Sequence, residues 1–334
     1  MECYKGGALN NLDEKLKGLL YGVALGDAFG MPTEMLSRET IKSRNLDFTK
    51  PISSLDISVI SKNREAYSIT DDTMNTLMIM EMLKENNAVI DTSIYLEKLK
   101  SWTKNSPIAG YVTGPSTSRA LKEIEQGKSI EESGMFGTTN GASMKISPIG
   151  LVSDYRRPVE LIENVVSICK PTHNSSIALS GASVIAAVVS YFYRGGNSID
   201  EMYEIAYEIA EKASKYGFQW PSASLSHRIK LAREIVVSST YGVSEDEILD
   251  GLYNEVGCSM ETIDTVPVAL ALFNLSDGDA LKCARLSASI GGDTDTIGAI
   301  SVGICGVFRP DTIPQDMIEE IERVNEIDFE KYII

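Results

Sequence analysis

Two short acidic segments combine residue types that are typical of metal sites. The first acidic segment covers residues 70–73, Thr-Asp-Asp-Thr, and the second covers residues 291–296, Gly-Gly-Asp-Thr-Asp-Thr. Each one precedes an apolar stretch that is predicted to form a buried helix. Because unpaired charge is costly inside a protein, four carboxylates at the starts of two buried helices need a positive partner. A pair of divalent cations is the simplest candidate.

Helix capping is the simpler interpretation of the same residues. Asp and Thr are both preferred at helix N-caps, where one cap contributes about 1 kcal/mol. One cap per helix is enough, and the extra carboxylates would be destabilising without a counter-ion. Carboxylates and hydroxyls without His or Cys favour Mg²⁺ or Mn²⁺, or Ca²⁺. The pattern therefore predicts a metal site with hydroxyl ligands from Thr70 and Thr296 beside the carboxylates of Asp71, Asp72, Asp293 and Asp295.

The charge balance excludes two classes of partner. The chain of 334 residues carries 31 Lys and Arg against 47 Asp and Glu, which gives a net charge of −16. So acidic a surface repels both the phosphate backbone of nucleic acids and anionic membranes. We therefore expect no stable nucleic-acid partner and no membrane association.

Cysteine and histidine usage indicates a reducing compartment and disfavours zinc. The five cysteines are scattered without a CxxC pair, which is typical of free, mostly buried thiols. Residues 1–10 lack a basic stretch followed by an apolar one, so no signal peptide is expected and the predicted location is the cytoplasm. The only histidines are His173 and His227, and neither lies near a cysteine with the spacing of zinc ligands.

A glycine stripe marks the first predicted helix, residues 12–31. Its members, Gly18, Gly22, Gly26 and Gly30, fall at every fourth position and share one helix face. Each glycine costs about 1 kcal/mol relative to Ala in a helix interior. The close approach of another backbone, or of a ligand, must offset that cost.

The rest of the chain predicts an all-α fold. Helical patterns recur from residue 70 to residue 325, with no βαβ rhythm and no fixed repeat. We expect about a dozen helices in a single compact domain covering residues 1–334. Two segments are predicted to be irregular: residues 38–67, with room for a short strand pair, and the loop 110–115.

A second loop, residues 134–141, has the features of an anion site. It precedes an apolar segment that is predicted to start a helix, and backbone N–H groups at a helix start bind anions. This interpretation assigns the anion contacts to residues 138–142. An ordinary loop before a buried helix fits the same pattern.

Taken together, these segments resemble the ADP-ribosylglycohydrolase family, which includes the enzymes that remove ADP-ribose from modified dinitrogenase reductase. The resemblance covers Leu16 to about Gly306 and rests on five segments. They are residues 26–30 (Gly-Asp-Ala-Phe-Gly) followed by Glu34, residues 70–73, residues 140–144 (Asn-Gly-Ala-Ser-Met), residues 172–173 (Thr-His), and residues 291–296. The first and last segments are highly specific in combination.

The resemblance implies an all-α fold around two Mg²⁺ or Mn²⁺ ions. The positions that match metal ligands of the family are Thr70, Asp71, Asp72, Asp293, Asp295 and Thr296. Glu34 matches a loop glutamate that lies over the reacting ribose, and the positions that match the ADP-ribose site are Thr138, Thr139, Asn140, Gly141 and His173. From the residues alone, His173 is also typical of a helix cap or a hydrogen-bonded core histidine.

Two residues depart from the family pattern. Met74 stands where many members have glutamine, and Lys145 stands where arginine is usual after the Asn-Gly-Ala-x-Met motif. Lysine keeps the positive charge but lacks the bidentate fork of arginine. These departures bear on which leaving group the enzyme accepts more than on how it would bind metal.

The predicted function is a metal-dependent glycosidase that acts at C1 of a ribose in an ADP-ribosylated amino acid or protein. The ions would hold the 2′- and 3′-hydroxyls and activate a water, and Asp293 or Glu34 would accept the proton or stabilise an oxocarbenium-like state. The sequence names neither the leaving group nor the oligomeric state, and it does not distinguish Mg²⁺ from Mn²⁺.

Three alternatives remain beside that function. A hydrolase of a nucleoside or another small N-riboside would need little of the anion loop. A non-catalytic ADP-ribose-binding or structural relative is disfavoured, because such a protein is expected to have lost metal ligands and every ligand position here is intact. A metal phosphohydrolase is disfavoured because helical enzymes of that class usually rely on several histidines.

Overall fold

The computed structural model describes residues 3–58, 60–238 and 242–334, with side chains from residue 12 onward, and this part of the chain is all-α as predicted. The helices in chain order are α1 (Cys3–Gly30), α2 (Arg38–Arg44), α3 (Asp71–Glu85), α4 (Thr92–Asn105), α5 (Ala109–Val112), α6 (Pro115–Glu125), α7 (Ile130–Ser133), α8 (Ser147–Val152), α9 (Pro158–Cys169), α10 (Ser176–Tyr193), α11 (Ile199–Ala213), α12 (Leu225–Val237), α13 (Glu245–Gly251), α14 (Thr262–Leu275), α15 (Ala280–Ile290), α16 (Thr294–Phe308) and α17 (Gln315–Asn325).

Two local predictions are wrong. The described residues of the segment 38–67 form α2 and irregular backbone, with no strand pair. Ser37 starts α2 by accepting a hydrogen bond from the Thr40 N–H, a capping signal that the sequence carries. The loop predicted at residues 110–115 contains most of the short helix α5.

The apolar side chains form one continuous core around α10. This helix is long and apolar enough to cross a membrane by length and composition, but 94% of it is buried inside the fold. Core packing therefore accounts for its composition. The described cysteines (Cys169, Cys258, Cys283 and Cys305) are buried free thiols, as expected, and the side chain of Cys3 lies outside the described residues.

Helices α1 and α16 pack backbone to backbone through the glycine stripe. A Cβ added at any of the four glycines would lie closer than 3.0 Å to backbone atoms of α16. Gly298 and Gly306 on α16 approach Gly26 and Gly18 in the same way. The close approach of a second helix backbone is what offsets the cost of these glycines.

Two more glycines shape the turn that precedes α16. Gly291 and Gly292 have φ values of +86° and +80°, a region that favours glycine. Gly292 accepts a hydrogen bond from the Met35 N–H at 2.7 Å and donates its own N–H to the Leu36 carbonyl at 2.8 Å. This turn holds the segment that carries Glu34 against the start of α16.

The first prediction concerns the contact between α1 and α16. Gly26→Ala should lower the free energy of unfolding by about 3 kcal/mol or more, because the added methyl group collides with the rigid backbone at Gly298. Urea denaturation measures the change. Gly110→Ala is the matched control, since no atom lies within 4 Å of its added Cβ, and its stability should stay within about 1 kcal/mol of the wild type. Equal effects of the two substitutions would contradict the packing role of the stripe.

Candidate active site

A cleft lies where the starts of α3, α6 and α16 converge. Its walls combine carboxylates, hydroxyls and the loop around Asn140. The lining residues are Glu34, Asp71, Asp72, Val112, Gly114, Pro115, Thr117, Thr139, Asn140, Gly141, Met144, His173, Met260, Asp293, Asp295 and Thr296.

The cleft brings the two acidic segments together. Thr296 Oγ1 on α16 donates to Asp72 Oδ2 on α3 at 3.4 Å. Carboxylate oxygens of Glu34, Asp293 and Asp295 lie within 4.8 Å of one another, an arrangement that could hold a metal ion. Residues far apart in sequence therefore form one cluster of oxygen ligands.

The hydroxyl of Thr70 is already engaged within the protein. It caps α3, and Thr70 Oγ1 lies within hydrogen-bond distance of two carboxylate oxygens, Asp27 Oδ1 at 3.0 Å and Asp72 Oδ2 at 3.2 Å, to either of which it can donate its one hydrogen. Thr70 is fully buried and is not among the residues that line the cleft. Of the two predicted hydroxyl ligands, only Thr296 lies in the cleft wall.

Two carboxylate oxygens of the cluster have no hydrogen-bond partner. Asp72 Oδ1 and Asp295 Oδ1 are both buried and unpaired within the described structure. Asp293 Oδ2, in contrast, accepts a hydrogen bond from Asn140 Nδ2. Buried carboxylate oxygens without partners are costly, and divalent cations satisfy such atoms. The donor set thus fits a hard divalent ion.

Burial raises the pKa of each carboxylate in this cluster. Burial, together with the charge of Asp293, raises the pKa of Glu34 to about 8. Burial and the charge of Asp27 raise the pKa of Asp71 to about 8. The pKa values of Asp72 and Asp295 are raised well above the usual range, by burial first and by neighbouring carboxylates second. The cluster resists ionisation when no cation balances it.

The buried carboxylate of Asp27 on α1 supports the site, although the sequence interpretation gave it no role. It accepts hydrogen bonds from the N–H groups of Thr70 and Thr73 at 3.0 and 3.1 Å, and from their hydroxyls at 3.0 and 2.5 Å. These donors belong to the start of α3, so Asp27 fixes the first acidic segment to α1. The sequence feature that could have indicated this role is a charged residue next to Gly26, on a helix whose faces are buried.

Glu34 is held over the cleft by the turn before α16 and by one side-chain contact. Met35, which follows it, has a φ of +62° and donates its N–H to Gly292. Ser61 Oγ donates to Glu34 Oε2 at 2.9 Å, a partner that no sequence pattern indicated. Glu34 is half-buried, whereas Asp71 and Asp293 are buried.

The predicted substrate residues divide into those that line the cleft and one that does not. Thr139, Asn140, Gly141 and His173 line it, whereas Thr138 is not among the lining residues and its carbonyl accepts from Thr262. Residues 140–142 form only a 3-10 turn, and the next helix, α8, begins at Ser147. The Asn140 N–H donates to the Met260 carbonyl at 2.8 Å. The expectation of a helix start in this loop is therefore wrong.

His173 is buried and hydrogen-bonded through both ring nitrogens. Nδ1 contacts Thr172 Oγ1 at 2.8 Å and Nε2 contacts Thr139 Oγ1 at 3.0 Å. Burial first, and the charges of Lys145 and Arg119 second, hold the pKa of His173 well below its usual range. A neutral imidazole therefore forms part of the cleft wall.

The second prediction concerns the pH dependence of stability without metal. The raised pKa values of Glu34 and Asp71 mean that the folded state binds more protons than the unfolded state between about pH 4 and about pH 8. Their stabilising contribution is full below their unfolded pKa values and is lost as the pH rises through the folded values. Urea denaturation in EDTA should therefore show a falling free energy of unfolding over this range, and Mg²⁺ should restore it at pH 8.

Asp295→Asn serves as the matched control for this titration. The amide cannot ionise, so the variant should lose less stability than the wild type over the same pH range. A wild-type stability in EDTA that stays level or rises towards pH 8 would contradict the account.

The third prediction concerns the support of α3 by Asp27. Asp27→Ala leaves the N–H groups and hydroxyls of Thr70 and Thr73 without their acceptor, and should lower the free energy of unfolding by about 3 kcal/mol or more. Mg²⁺ affinity, measured by isothermal titration calorimetry, should weaken with it. Asp13→Ala, an exposed position on the same helix, should change neither quantity. Unchanged stability in Asp27→Ala would refute the supporting role.

Comparisons with known proteins agree with this architecture. A family model described as ADP-ribosylglycohydrolase matches residues 8–332. The uncharacterized protein YegU of Escherichia coli (strain K12) is 35% identical over 96% of this chain and 95% of its own length. ADP-ribosylhydrolase ARH3 of Bos taurus is 22% identical over 98% of this chain and 93% of its own length.

A solved structure described as an ADP-ribosylglycohydrolase-related protein complex has the same fold. It superposes with a TM-score of 0.66 at 19% identity and covers 94% of this chain and 96% of that chain. The family match extends over nearly the whole sequence, including all the residues of the cleft. The chain therefore belongs to the ADP-ribosylglycohydrolase family and is a glycosidic hydrolase.

Proposed function

We propose that this protein is a metal-dependent hydrolase that cleaves the bond at C1 of the ribose in an ADP-ribosylated amino acid or protein. The observation that carries the proposal is the buried carboxylate cluster, with the unpaired oxygens of Asp72 and Asp295 facing no protein donor. Such a cluster destabilises the core of a protein unless a cation occupies it.

Two Mg²⁺ or Mn²⁺ ions are the cofactors that we propose for this cluster. The residues that would hold them are Thr70, Asp71, Asp72, Asp293, Asp295 and Thr296, with Glu34 beside them. Thr70 would have to share its oxygen with the hydrogen bonds that it already makes. Bound ions of this kind supply Lewis-acid polarisation of water and of the ribose 2′- and 3′-hydroxyls.

Glu34 is the better placed of the two candidate bases. Hydrolysis adds water across the bond between C1 and the leaving group, so a carboxylate must take the water's proton. Each carboxylate accepts a side-chain hydrogen bond, Asp293 from Asn140 and Glu34 from Ser61, but Asp293 is buried whereas Glu34 is half-buried and thus more accessible to water. We assign proton transfer to Glu34, and charge stabilisation at C1 to Asp293.

The opposite cleft wall supports an ADP-ribose substrate. Asn140, Gly141 and His173 line this wall beside the carboxylate cluster. Phe136 lies in the same loop and forms edge-to-face contacts with Phe218 and Trp220, and all three rings are exposed. Exposed aromatic rings are suited to stacking on a purine. An adenine-bearing substrate would use them, whereas a small N-riboside would not.

The free thiols and the net negative charge also bear on the compartment in which the protein acts and on its class of substrate. The buried free cysteines favour the cytoplasm. The net charge of −16 disfavours a nucleic-acid substrate. An ADP-ribosylated protein or a small ADP-ribosyl compound is therefore the partner that we propose.

The fourth prediction tests this function by product analysis. With Mg²⁺ or Mn²⁺, the protein should release ADP-ribose from ADP-ribosyl-arginine or ADP-ribosyl-serine, and EDTA should stop the reaction. Asp295→Asn should lower the rate about 100-fold or more, because it removes charge that a cation requires. Asp311→Asn, at an exposed position outside the cleft, is the matched control and should retain the wild-type rate.

The same substrate panel distinguishes the alternatives. Release of ribose from nucleosides, with no turnover of ADP-ribosyl substrates, would replace the proposal by a small N-riboside hydrolase. Binding of ADP-ribose without any turnover would indicate a non-catalytic relative. Full activity in EDTA, or in Asp295→Asn, would exclude the metal-dependent scheme.

A further inference from the structure

Lys145 is a buried lysine to which the proposed reaction gives no role. It is 1% exposed, and its ammonium group lies 5.2 Å from the centroid of the Tyr95 ring. Its Nζ donates a hydrogen bond to Thr172 Oγ1 at 3.2 Å. Lysines are rarely buried to this extent without a specific partner. The partner here is a hydroxyl next to the cleft-lining His173.

A continuous chain of hydrogen bonds leads from Lys145 to the rim of the cleft. Thr172 Oγ1 contacts His173 Nδ1 at 2.8 Å, and His173 Nε2 contacts Thr139 Oγ1 at 3.0 Å. Thr139 Oγ1 donates in turn to Ser116 Oγ at 3.0 Å. None of the five side chains is more than 9% exposed, so bulk water does not compete with these contacts.

Lys145 sets which atom donates in each hydrogen bond of this series. An ammonium group only donates hydrogen bonds, so Thr172 Oγ1 accepts from Lys145 and has its own hydrogen available for His173 Nδ1. With Nδ1 accepting from Thr172, the single N–H of a neutral imidazole is on Nε2 and donates to Thr139. Thr139 passes its hydrogen to Ser116, and the described structure gives the Ser116 hydroxyl hydrogen no acceptor.

We infer that Lys145 is a positioning residue that holds His173 in the Nε2–H tautomer and thereby orients the hydroxyl of Thr139 at the cleft. Ser116, which accepts the Thr139 hydrogen, is buried at the start of α6 and is not itself among the residues that line the cleft. In this arrangement Thr139, which lines the cleft, presents a lone pair to a donor group of the substrate. The substrate contact rests on the proposed function, whereas the tautomer does not.

The ¹⁵N NMR spectrum of the imidazole rings tests the inference without any substrate. The chain has only two histidines, so His227→Gln leaves the signals of His173 alone. The wild-type ring should be neutral with its proton on Nε2. Lys145→Met should produce the Nδ1–H form or a mixture, whereas Lys145→Arg, which also only donates, should retain the Nε2–H form.

Thr172→Val interrupts the chain one link further along and carries the same test if the methionine variant does not fold. This variant should also produce the Nδ1–H form of His173 or a mixture of the two tautomers. A wild-type ring protonated on Nδ1 would overturn the inference. An Nε2–H form that persists in Lys145→Met or in Thr172→Val would overturn it as well.

Steady-state kinetics then separates positioning from general structural damage. With an ADP-ribosyl substrate, Lys145→Met should raise KM about tenfold, the effect of one hydrogen bond, and should change kcat little. Lys145→Arg should restore KM. Equal loss in both variants would mean that Lys145 matters only for packing. Because the NMR arm needs no turnover, it decides the inference even if the proposed hydrolase activity fails.

Discussion

Repulsion among buried carboxylates is the constraint that governs this structure. Burial raises the pKa of Glu34, Asp71, Asp72, Asp293 and Asp295. The charges of neighbouring carboxylates raise the pKa of all but Asp293 further. No described lysine, arginine or histidine forms a salt bridge with any of them. A fold that collects these groups around one cleft is stable at neutral pH only if the charge is removed by protons or balanced by cations.

The fold opposes this repulsion with rigid backbone contacts. The glycine stripe brings α1 against α16, and Asp27 on α1 holds the start of α3 through Thr70 and Thr73. The paired hydrogen bonds at Gly292 fix the segment that carries Glu34. The acidic groups are thus held by backbone contacts at the stripe and at Gly292, and by the hydrogen bonds that Asp27 accepts from the start of α3. A preorganised site of this kind can bind a cation without rearranging.

Local patterns in the sequence predict much of the fold but less of the candidate site. Helical periodicity located the longer helices, and the spacing of the glycines indicated a close backbone approach, because both signals arise from neighbouring residues. Ser61 and Met260 meet the site through contacts across the fold, which no local pattern records. The anion loop was misjudged because a 3-10 turn and a helix start share the same composition.

The most direct test of the account is anomalous diffraction from crystals of the protein grown with Mn²⁺. The account predicts strong anomalous density in the cleft between Asp71 and Asp72 on one side and Asp293 and Asp295 on the other, with carboxylate oxygens at coordinating distance. A well-ordered cleft without anomalous density there, at Mn²⁺ concentrations that saturate a typical carboxylate site, would contradict it.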